Sequence, residues 1–346
     1  MMRIGCSVVV AIAFLLSFMA SGSMFGAESV EALSADMITP KTKQAIDRGL
    51  EFLASRQQEE GSFGTANYGR NVAICALAGL AMMSGGSTPG RGPYGEQLDR
   101  CVDYLLSNTQ KSGFIESAGS ASHGPMYGHG FATMFLAECY GMSNRPDMRE
   151  KLKAAVELIV NTQNNEGGWR YQPRRADADL SVTVCEIMAL RAARNAGLFV
   201  PKKTIDKCID YVKKSQNSDG GFRYMLQAGP SRFPRSAGGV VALHSAGIYE
   251  GGEIKNGLAY LNRAFPKKGE KSNEAYFYYG RYYVVLAAWH TGGDMWKRWY
   301  PAVREEMIQR QRKDGSWMSP ISVEYATSMA CIVLQVPNNC LPIFQR

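Results

Sequence analysis

The stretch Asn161–Thr183, NTQNNEGGWRYQPRRADADLSVT, contains the clearest copy of an internal repeat and the strongest acid candidates in the chain. Its first half recurs as a glutamine followed six residues later by an aromatic residue, at Gln57 and Phe63, Gln163 and Trp169, Gln216 and Phe222, and Gln311 and Trp317. The glutamines at 57, 110, 163 and 216 are each 53 residues apart. A period this constant predicts a repeat architecture.

Each repeat consists of an amphipathic helix, a glycine-rich turn and a second helix that is apolar on nearly all sides. We expect six such pairs: 41–57 with 70–83, 94–110 with 126–142, 147–163 with 179–196, 202–216 with 235–249, 252–264 with 273–290, and 295–311 with 321–335. The apolar helices should lie inside a ring of amphipathic ones. The sequence therefore predicts an all-α fold, a single (α/α)6 toroid over residues 41–336.

Two local expectations follow from the turns. Each turn glutamine should hydrogen-bond the backbone of the next repeat and so tie neighbouring units together. The turn glycines should end the outer helices as left-handed C-caps, a conformation that favours glycine; they are Gly61, Gly167, Gly168, Gly220, Gly221 and Gly315.

Residues 1–27 combine Arg3, an apolar run from Val8 to Ala20 and small residues after it, which is the layout of a cleaved signal peptide. We expect export to the periplasm or the extracellular space. An uncleaved membrane anchor is the alternative, although the run is short for a span. The net charge of +8 is spread along the chain without a Lys/Arg block. This argues against a nucleic-acid partner and is compatible with weak peripheral contact with anionic membranes.

The repeats resemble those of a known family. The segment from Arg48 through Gln57 and Gly61 to Phe63 is similar to the QW motif of squalene-hopene cyclases, with Phe in place of Trp. NNEGGW at 164–169 and SDGGF at 218–222 are similar to the same motif and to the repeats of protein prenyltransferase beta subunits. The resemblance to this prenyltransferase and squalene oxidase repeat family implies an (α/α)6 toroid whose inner helices surround an apolar cavity.

Asp177 and Asp179 precede the third inner helix and resemble the Asp-x-Asp-Asp motif of class II terpene cyclases, whose middle aspartate protonates an alkene or epoxide. The resemblance makes Asp179 the proton donor and Asp177 its catalytic partner. Leu180 replaces the third aspartate. Two partly desolvated carboxyls would raise one pKa. In the alternative interpretation Asp179 is a helix N-cap, which would lower its pKa.

Eight further residues are candidates for substrate binding. In a cyclase-like site, aromatic faces would stabilise a carbocation; the alternative is that these side chains only pack the core. Thr183 and Glu186 share a helix face with Asp179, and His129 is the histidine expected at the cavity mouth, although a core histidine is the alternative. The full set is Tyr127, His129, Trp169, Tyr171, Thr183, Glu186, Tyr279 and Tyr283.

No metal or cofactor is expected. A prenyltransferase zinc site would place a cysteine two residues after its aspartate, but Ser181 occupies that position after Asp179. The favoured function is an exported squalene-cyclase-like toroid that binds an isoprenoid or other long apolar molecule and cyclises it after protonation. One alternative is a non-catalytic toroid that binds a lipid or a protein. Another is a carbohydrate-active enzyme that pairs Asp179 with Glu138 or Glu324, where the separation of the carboxyls would decide the reaction type.

Overall fold

The computed structural model describes Ser34, residues 36–265 and residues 276–345, so the expected signal peptide and the first residues of segment 273–290 lie outside the described residues. Within that part, the chain forms twelve α-helices and no strand. They are α1 (Pro40–Arg56), α2 (Val72–Ser84), α3 (Gly95–Ser107), α4 (Pro125–Cys139), α5 (Met148–Thr162), α6 (Leu180–Asn195), α7 (Lys202–Lys214), α8 (Phe233–Ser245), α9 (Gly252–Ala264), α10 (Phe277–Thr291), α11 (Gly293–Arg310) and α12 (Val323–Gln335). The all-α prediction and the six helix pairs are confirmed.

The even-numbered helices form the inner ring. Each packs against its two even-numbered neighbours, and α12 packs against α2 and closes the ring. Small residues allow this close approach: a Cβ added to Gly79 of α2 would lie 2.3 Å from the Phe135 ring of α4. The odd-numbered helices form the outer layer and bury one face each, as with Leu152 and Ile159 of α5. Two concentric layers, with the apolar helices inside, are therefore confirmed.

The turn glutamines join neighbouring repeats. Gln163 Nε2 donates to the Gly167 carbonyl in its own turn and to the Thr204 carbonyl of α7, both at 2.9 Å. Gln57 and Gln216 bond the next outer helix in the same way. Gln311 donates to the Ala45 carbonyl of α1 at 2.8 Å and so joins the last repeat to the first. The predicted role of these glutamines is confirmed.

The second repeat departs from the period that the sequence suggests. In its turn, Thr109 and Ile115 form an isolated β-bridge, as Gln216 and Phe222 do in the fourth repeat. Thr109 therefore occupies the glutamine position, while Gln110 is exposed. The structural intervals from 57 to 163 are 52 and 54 residues rather than 53 and 53. Gln110 fits the 53-residue sequence period by coincidence. The second repeat reaches its turn one residue earlier than the period predicts, and the stretch from that turn to the third turn is one residue longer.

The expectation that the turn glycines cap the outer helices is wrong. Where α1, α5 and α11 end, the C-cap residue is the glutamine itself, in an extended conformation. The glycine four residues later has a positive φ because it abuts the next outer helix. At Gly167 φ is 102°, and a Cβ would lie 2.1 Å from the Lys207 carbonyl oxygen. These glycines are required for close contact between repeats.

The two ends of the barrel differ. The described connections from an outer to an inner helix lie at one end of the barrel. The longest of them are residues 108–124, 163–179 and 215–232. At the other end, residues 336–345 cross the C-terminal ends of the inner helices. Phe344 packs on Tyr282, with ring centroids 6.1 Å apart, and Arg191 donates to the Gln345 carbonyl. The C-terminal segment therefore covers the end opposite the long loops.

Candidate functional site

The mouth of the barrel is the end formed by the first turns of α4, α6, α8 and α10 with the loops before them. Asp179 lies here as the N-cap of α6. Its backbone N–H donates to the Trp169 carbonyl at 2.9 Å, so the third repeat's turn fixes the start of the helix. Its Oδ1 accepts from the N–H groups of Ser181 and Val182 at 2.9 and 3.0 Å. The carboxyl group is thereby held in one orientation, as a capping aspartate should be.

Burial decides the protonation of this carboxyl group. Asp179 has no exposed surface, and burial raises its pKa from 3.8 to about 6. The Val182 and Ser181 N–H groups, Tyr224 and Arg170 all lower the pKa, but together they do not offset burial. Oδ2 receives neither capping N–H, and its nearest cation is Arg170 Nε at 3.8 Å. Asp179 is thus both a helix cap and a carboxyl group that binds its proton more tightly than usual.

Asp177 has a different position. It is exposed, and it forms an ion pair and a hydrogen bond with Arg170 Nη1. Arg170 therefore lies between the two carboxylates, and Asp177 holds this arginine in place. The raised pKa of Asp179 comes from burial, rather than from a neighbouring carboxylate as the sequence suggested.

Aromatic side chains surround Asp179 at the mouth. The rings of Tyr127 and Tyr171 have centroids 6.3 Å apart, and the Tyr171 hydroxyl hydrogen-bonds the Tyr224 hydroxyl. Arg170 Cζ lies 5.1 Å from the Tyr171 ring centroid and 5.9 Å from that of Tyr224, within reach of cation–π attraction. All three tyrosines are partly buried. They give the mouth an apolar surface with hydroxyl groups at its edge.

The tyrosines of α10 continue from the mouth into the barrel. Tyr279 is partly buried and contacts the fully buried Tyr283, with ring centroids 4.7 Å apart. Tyr283 contacts Tyr282 at 4.8 Å, and Tyr282 reaches Phe344. None of the three tyrosine hydroxyls has a hydrogen-bond partner in the part of the chain described here. A buried polar group without a partner is costly, so these hydroxyls are available to a molecule that enters the barrel.

Two cavities among the described residues lie away from this tyrosine row. One, of about 300 Å³, opens on the outer surface between the end of α5 and the start of α7. The other, of about 20 Å³, lies beside Asn71 and Pro125. The resemblance implied an apolar cavity within the inner ring, where the structure instead has the edge-to-face rings of Tyr279, Tyr283 and Tyr282. A ligand would enter by displacing tyrosine side chains at the mouth.

Three of the sequence candidates lie in the framework of the fold. His129 Nδ1 accepts from the Ile115 N–H and Nε2 donates to the Ala155 carbonyl, so His129 joins α4 to α5 instead of lining the mouth. Burial lowers its pKa to about 4. Thr183 Oγ1 accepts from the Trp169 N–H at 3.1 Å, and Trp169 Nε1 donates to a carbonyl of α5 at 2.7 Å. These polar atoms are used within the repeat.

Glu186 lies deeper, between α6 and α4. It is fully buried, and neither carboxyl oxygen has a hydrogen-bond partner among the described residues. Burial raises its pKa well above the usual value. Gly130 of α4 leaves room for the group, because a Cβ there would lie 3.0 Å from Oε1. Burial therefore favours the neutral form of Glu186, and the group faces a neighbouring helix.

Of the two carboxyl pairs considered for glycoside chemistry, Asp179 and Glu138 lie far apart. The inner helices run parallel, and Asp179 begins α6 whereas Glu138 lies near the end of α4. At 1.5 Å per residue this places them roughly 20 Å apart, beyond the separation that either glycosidase mechanism uses. Glu324 of α12 interacts with Arg56, 3.4 Å away, and with Thr65, both in the first repeat. The structure therefore argues against a pair of Asp179 with Glu138, while Glu324 interacts with residues of the first repeat.

The sequence interpretation missed three residues of the mouth: Arg170, Tyr224 and Arg235. A signal for Tyr224 was present, since Trp169-Arg170-Tyr171 and Phe222-Arg223-Tyr224 occupy equivalent positions 53 residues apart. The same repeat that placed Tyr171 at the mouth places Tyr224 there. No comparable signal marked Arg235, because the first turns of the other inner helices carry different residues.

None of the described helices is both long and apolar enough to cross a bilayer. No group of three or more His, Cys, Asp or Glu side chains in the described ranges is arranged to hold a metal ion. His244 and His290 form a ring contact with centroids 5.3 Å apart near the covered end of the barrel.

Comparison with known protein families shows to which family the chain belongs. The family model for the squalene-hopene cyclase C-terminal domain matches residues 131–303, half of the chain, and includes Asp179 and the tyrosines of α10. The chain belongs to this family. A second model, for the prenyltransferase alpha-alpha toroid domain, matches residues 27–153. The resemblance seen in the repeats is thereby confirmed. A comparison with curated protein sequences found no significant match.

Solved structures share the fold. The type II terpene cyclase MstE from Scytonema is 16% identical, with a TM-score of 0.58 over 87% of this chain and 99% of that chain. Cellobiose 2-epimerase from Bacillus thermoamylovorans is 12% identical, with a TM-score of 0.62 over 86% of this chain and 99% of that chain. A GH76 alpha-mannanase from Bacteroides thetaiotaomicron is 12% identical, with a TM-score of 0.62 over 88% and 98%. At these identities the likeness is one of fold, and it spans terpene and carbohydrate enzymes.

Proposed function

We propose that this protein is an exported squalene-cyclase-like toroid that binds an isoprenoid or another long apolar molecule at its mouth, and that Asp179 donates a proton to it. The observation that carries the proposal is the environment of Asp179: a fully buried carboxyl group, with a pKa of about 6, among tyrosine rings. Export rests on the character of residues 1–27, and mass spectrometry of the mature N-terminus would test it.

The apolar ligand is supported by the surface and by the fold. Tyr127, Tyr171 and Tyr279 are partly buried at the mouth, and their apolar rings suit a branched hydrocarbon chain. A variant of MstE has been solved with its substrate geranylgeranyl dihydroxybenzoate at 14% identity to this chain and a TM-score of 0.55. An isoprenoid chain is therefore the first ligand class to test.

The proposed chemistry uses the two oxygens of Asp179 differently. Oδ1 stays bound to the two capping N–H groups, and the proton resides on Oδ2. The Oδ2–H bond breaks as the proton forms a C–H bond with an alkene, whose π bond is lost, or an O–H bond with an epoxide oxygen, whose ring C–O bond opens. Either step leaves a carboxylate on Asp179 and a carbocation on the ligand. The capping N–H groups stabilise the carboxylate, and tyrosine faces stabilise the cation. Loss of a proton from the cation ends the reaction and restores the acid.

The acid strength of Asp179 limits which chemical groups it could protonate. A carboxyl group with a pKa of about 6 is a weak acid. The third aspartate of the cyclase motif, which would support proton delivery, is replaced by Leu180. An epoxide oxygen accepts a proton far more readily than an alkene carbon does, so epoxidised polyprenyl compounds are better test substrates than the parent alkenes.

The alternative is a toroid that binds its ligand without reaction. It is favoured by Leu180 and by the capping hydrogen bonds of Asp179, which give this residue a structural role that requires no chemistry. In that case the ligand would be recovered unchanged from the wild type and from a variant without the acid.

One experiment separates the two. Wild type, Asp179→Asn and Asp177→Asn are incubated with squalene, shorter polyprenyl compounds and their epoxides, followed by native mass spectrometry and analysis of extracted lipid. Asn can replace Asp as an N-cap, so the first variant should fold. The catalytic proposal expects a cyclised product from wild type and Asp177→Asn but none from Asp179→Asn. Unaltered ligand from all three would leave a binding protein, and no bound ligand at all would exclude both.

A further inference from the structure

Arg235, on the first turn of α8, is a cation at the mouth that none of the roles above requires. Its Cζ lies 5.5 Å from the Tyr224 ring centroid. It donates one hydrogen bond from Nη2 to the Pro230 carbonyl at 2.9 Å. Its Nε is buried and has no hydrogen-bond partner within residues 36–265 and 276–345. Part of a planar donor group is therefore unused at the entrance to the barrel.

The charge of Arg235 is also uncompensated. No ion pair in the described ranges includes it, whereas Asp177 and Asp179 both lie beside Arg170. Arg232 adds a second positive charge nearby. Burial lowers the pKa of Arg235, and the neighbouring Arg232 lowers it further. A guanidinium nevertheless remains protonated at neutral pH.

Partly buried charges in proteins are normally paired, because a charge taken out of water is costly without a partner. The donors of a guanidinium match the oxygens of a carboxylate or phosphate group. The surroundings of Arg235 are therefore suited to an anionic group that arrives with a ligand. Tyr224 and Tyr279 lie next to it, and Tyr279 begins the tyrosine row that leads into the barrel.

We propose that Arg235 binds the anionic head group, a carboxylate or a phosphate, of a ligand whose hydrocarbon chain lies along Tyr279. The ligand is then an amphiphile, held by charge at the mouth and by apolar contact further in. This inference rests on the proposed binding function, because it names the ligand class for the same mouth.

The test uses three ligands with one C15 prenyl chain and different heads: an alcohol, a carboxylic acid and a monophosphate. Dissociation constants are measured by native mass spectrometry and calorimetry at fixed ionic strength. Wild type should bind the acid or the phosphate about 10- to 100-fold more tightly than the alcohol, the range expected for hydrogen bonds to a charged group. The tighter of the two anions identifies the head group.

Two variants complete the design. Arg235→Gln should lose most of the preference for the anion and keep its affinity for the alcohol. Arg232→Gln, which removes a nearby exposed charge, should keep the preference. Equal affinities of wild type for alcohol and anions would overturn the inference without the need for any variant, and so would an equal loss in both variants. Failure of all three ligands to bind wild type would overturn the proposed function together with it.

Discussion

Asp179→Asn should make the protein more stable than wild type at pH 8 but not at pH 4. Burial raises the pKa of Asp179 from 3.8 to about 6, so the folded chain holds this proton more tightly than the unfolded chain does. The resulting stability is fully present below pH 3.8 and is lost as the pH rises through about 6. Asparagine has no such proton to lose, and its side-chain oxygen can keep both capping hydrogen bonds.

The magnitude follows from the two pKa values. The difference between 3.8 and about 6 corresponds to about 3 kcal/mol of unfolding free energy. The amide nitrogen of the introduced asparagine would replace Oδ2 and bury donors without a good acceptor, which costs about 1 kcal/mol. The variant should therefore be about 1 kcal/mol less stable than wild type near pH 4 and about 2 kcal/mol more stable at pH 8.

Urea unfolding followed by far-UV circular dichroism, at several pH values and constant ionic strength, measures this difference. Glu138, whose pKa burial raises to about 7, titrates in both proteins, so it cancels in the comparison. Asp177→Asn is the control, because it removes an exposed carboxyl group two residues from Asp179. A difference between Asp179→Asn and wild type that stays constant from pH 4 to pH 8 would refute the raised pKa, and with it the acid at the mouth.

Two further predictions concern the turns, and both are measured as changes in urea unfolding free energy. Gln163→Ala removes one hydrogen bond within its own turn and one to the next repeat, and it should cost about 1–3 kcal/mol. Gln110→Ala should change stability by less than about 0.5 kcal/mol because that residue is exposed, and equal effects would contradict the shifted register of the second repeat. Gly167→Ala should cost about 3 kcal/mol or more, since the added Cβ would meet the Lys207 carbonyl. Gly197→Ala should cost only about 1 kcal/mol, because Gly197 has a similar φ but no atom near the added Cβ. Similar losses in the two variants would show that the backbone angle φ alone matters.

The sequence by itself determined the fold. Helical periodicity separated amphipathic from apolar helices, and a toroid follows because each apolar helix can be covered only by stacking repeats in a closed ring. It also placed Asp179 at the start of an inner helix and supplied both of its candidate roles. These properties depend on residues close to one another in the chain, such as Asp179 with the N–H groups of Ser181 and Val182.

Only the tertiary structure decided the chemistry of the mouth. Whether capping or burial sets the pKa of Asp179 depends on how much protein surrounds it. The orientation of His129 toward α5, the register of Thr109 and the uncompensated charge of Arg235 depend on helices far apart in the sequence. The physical reason is that hydrogen bonds along one helix are set by local spacing, whereas burial and charge compensation are properties of the assembled ring.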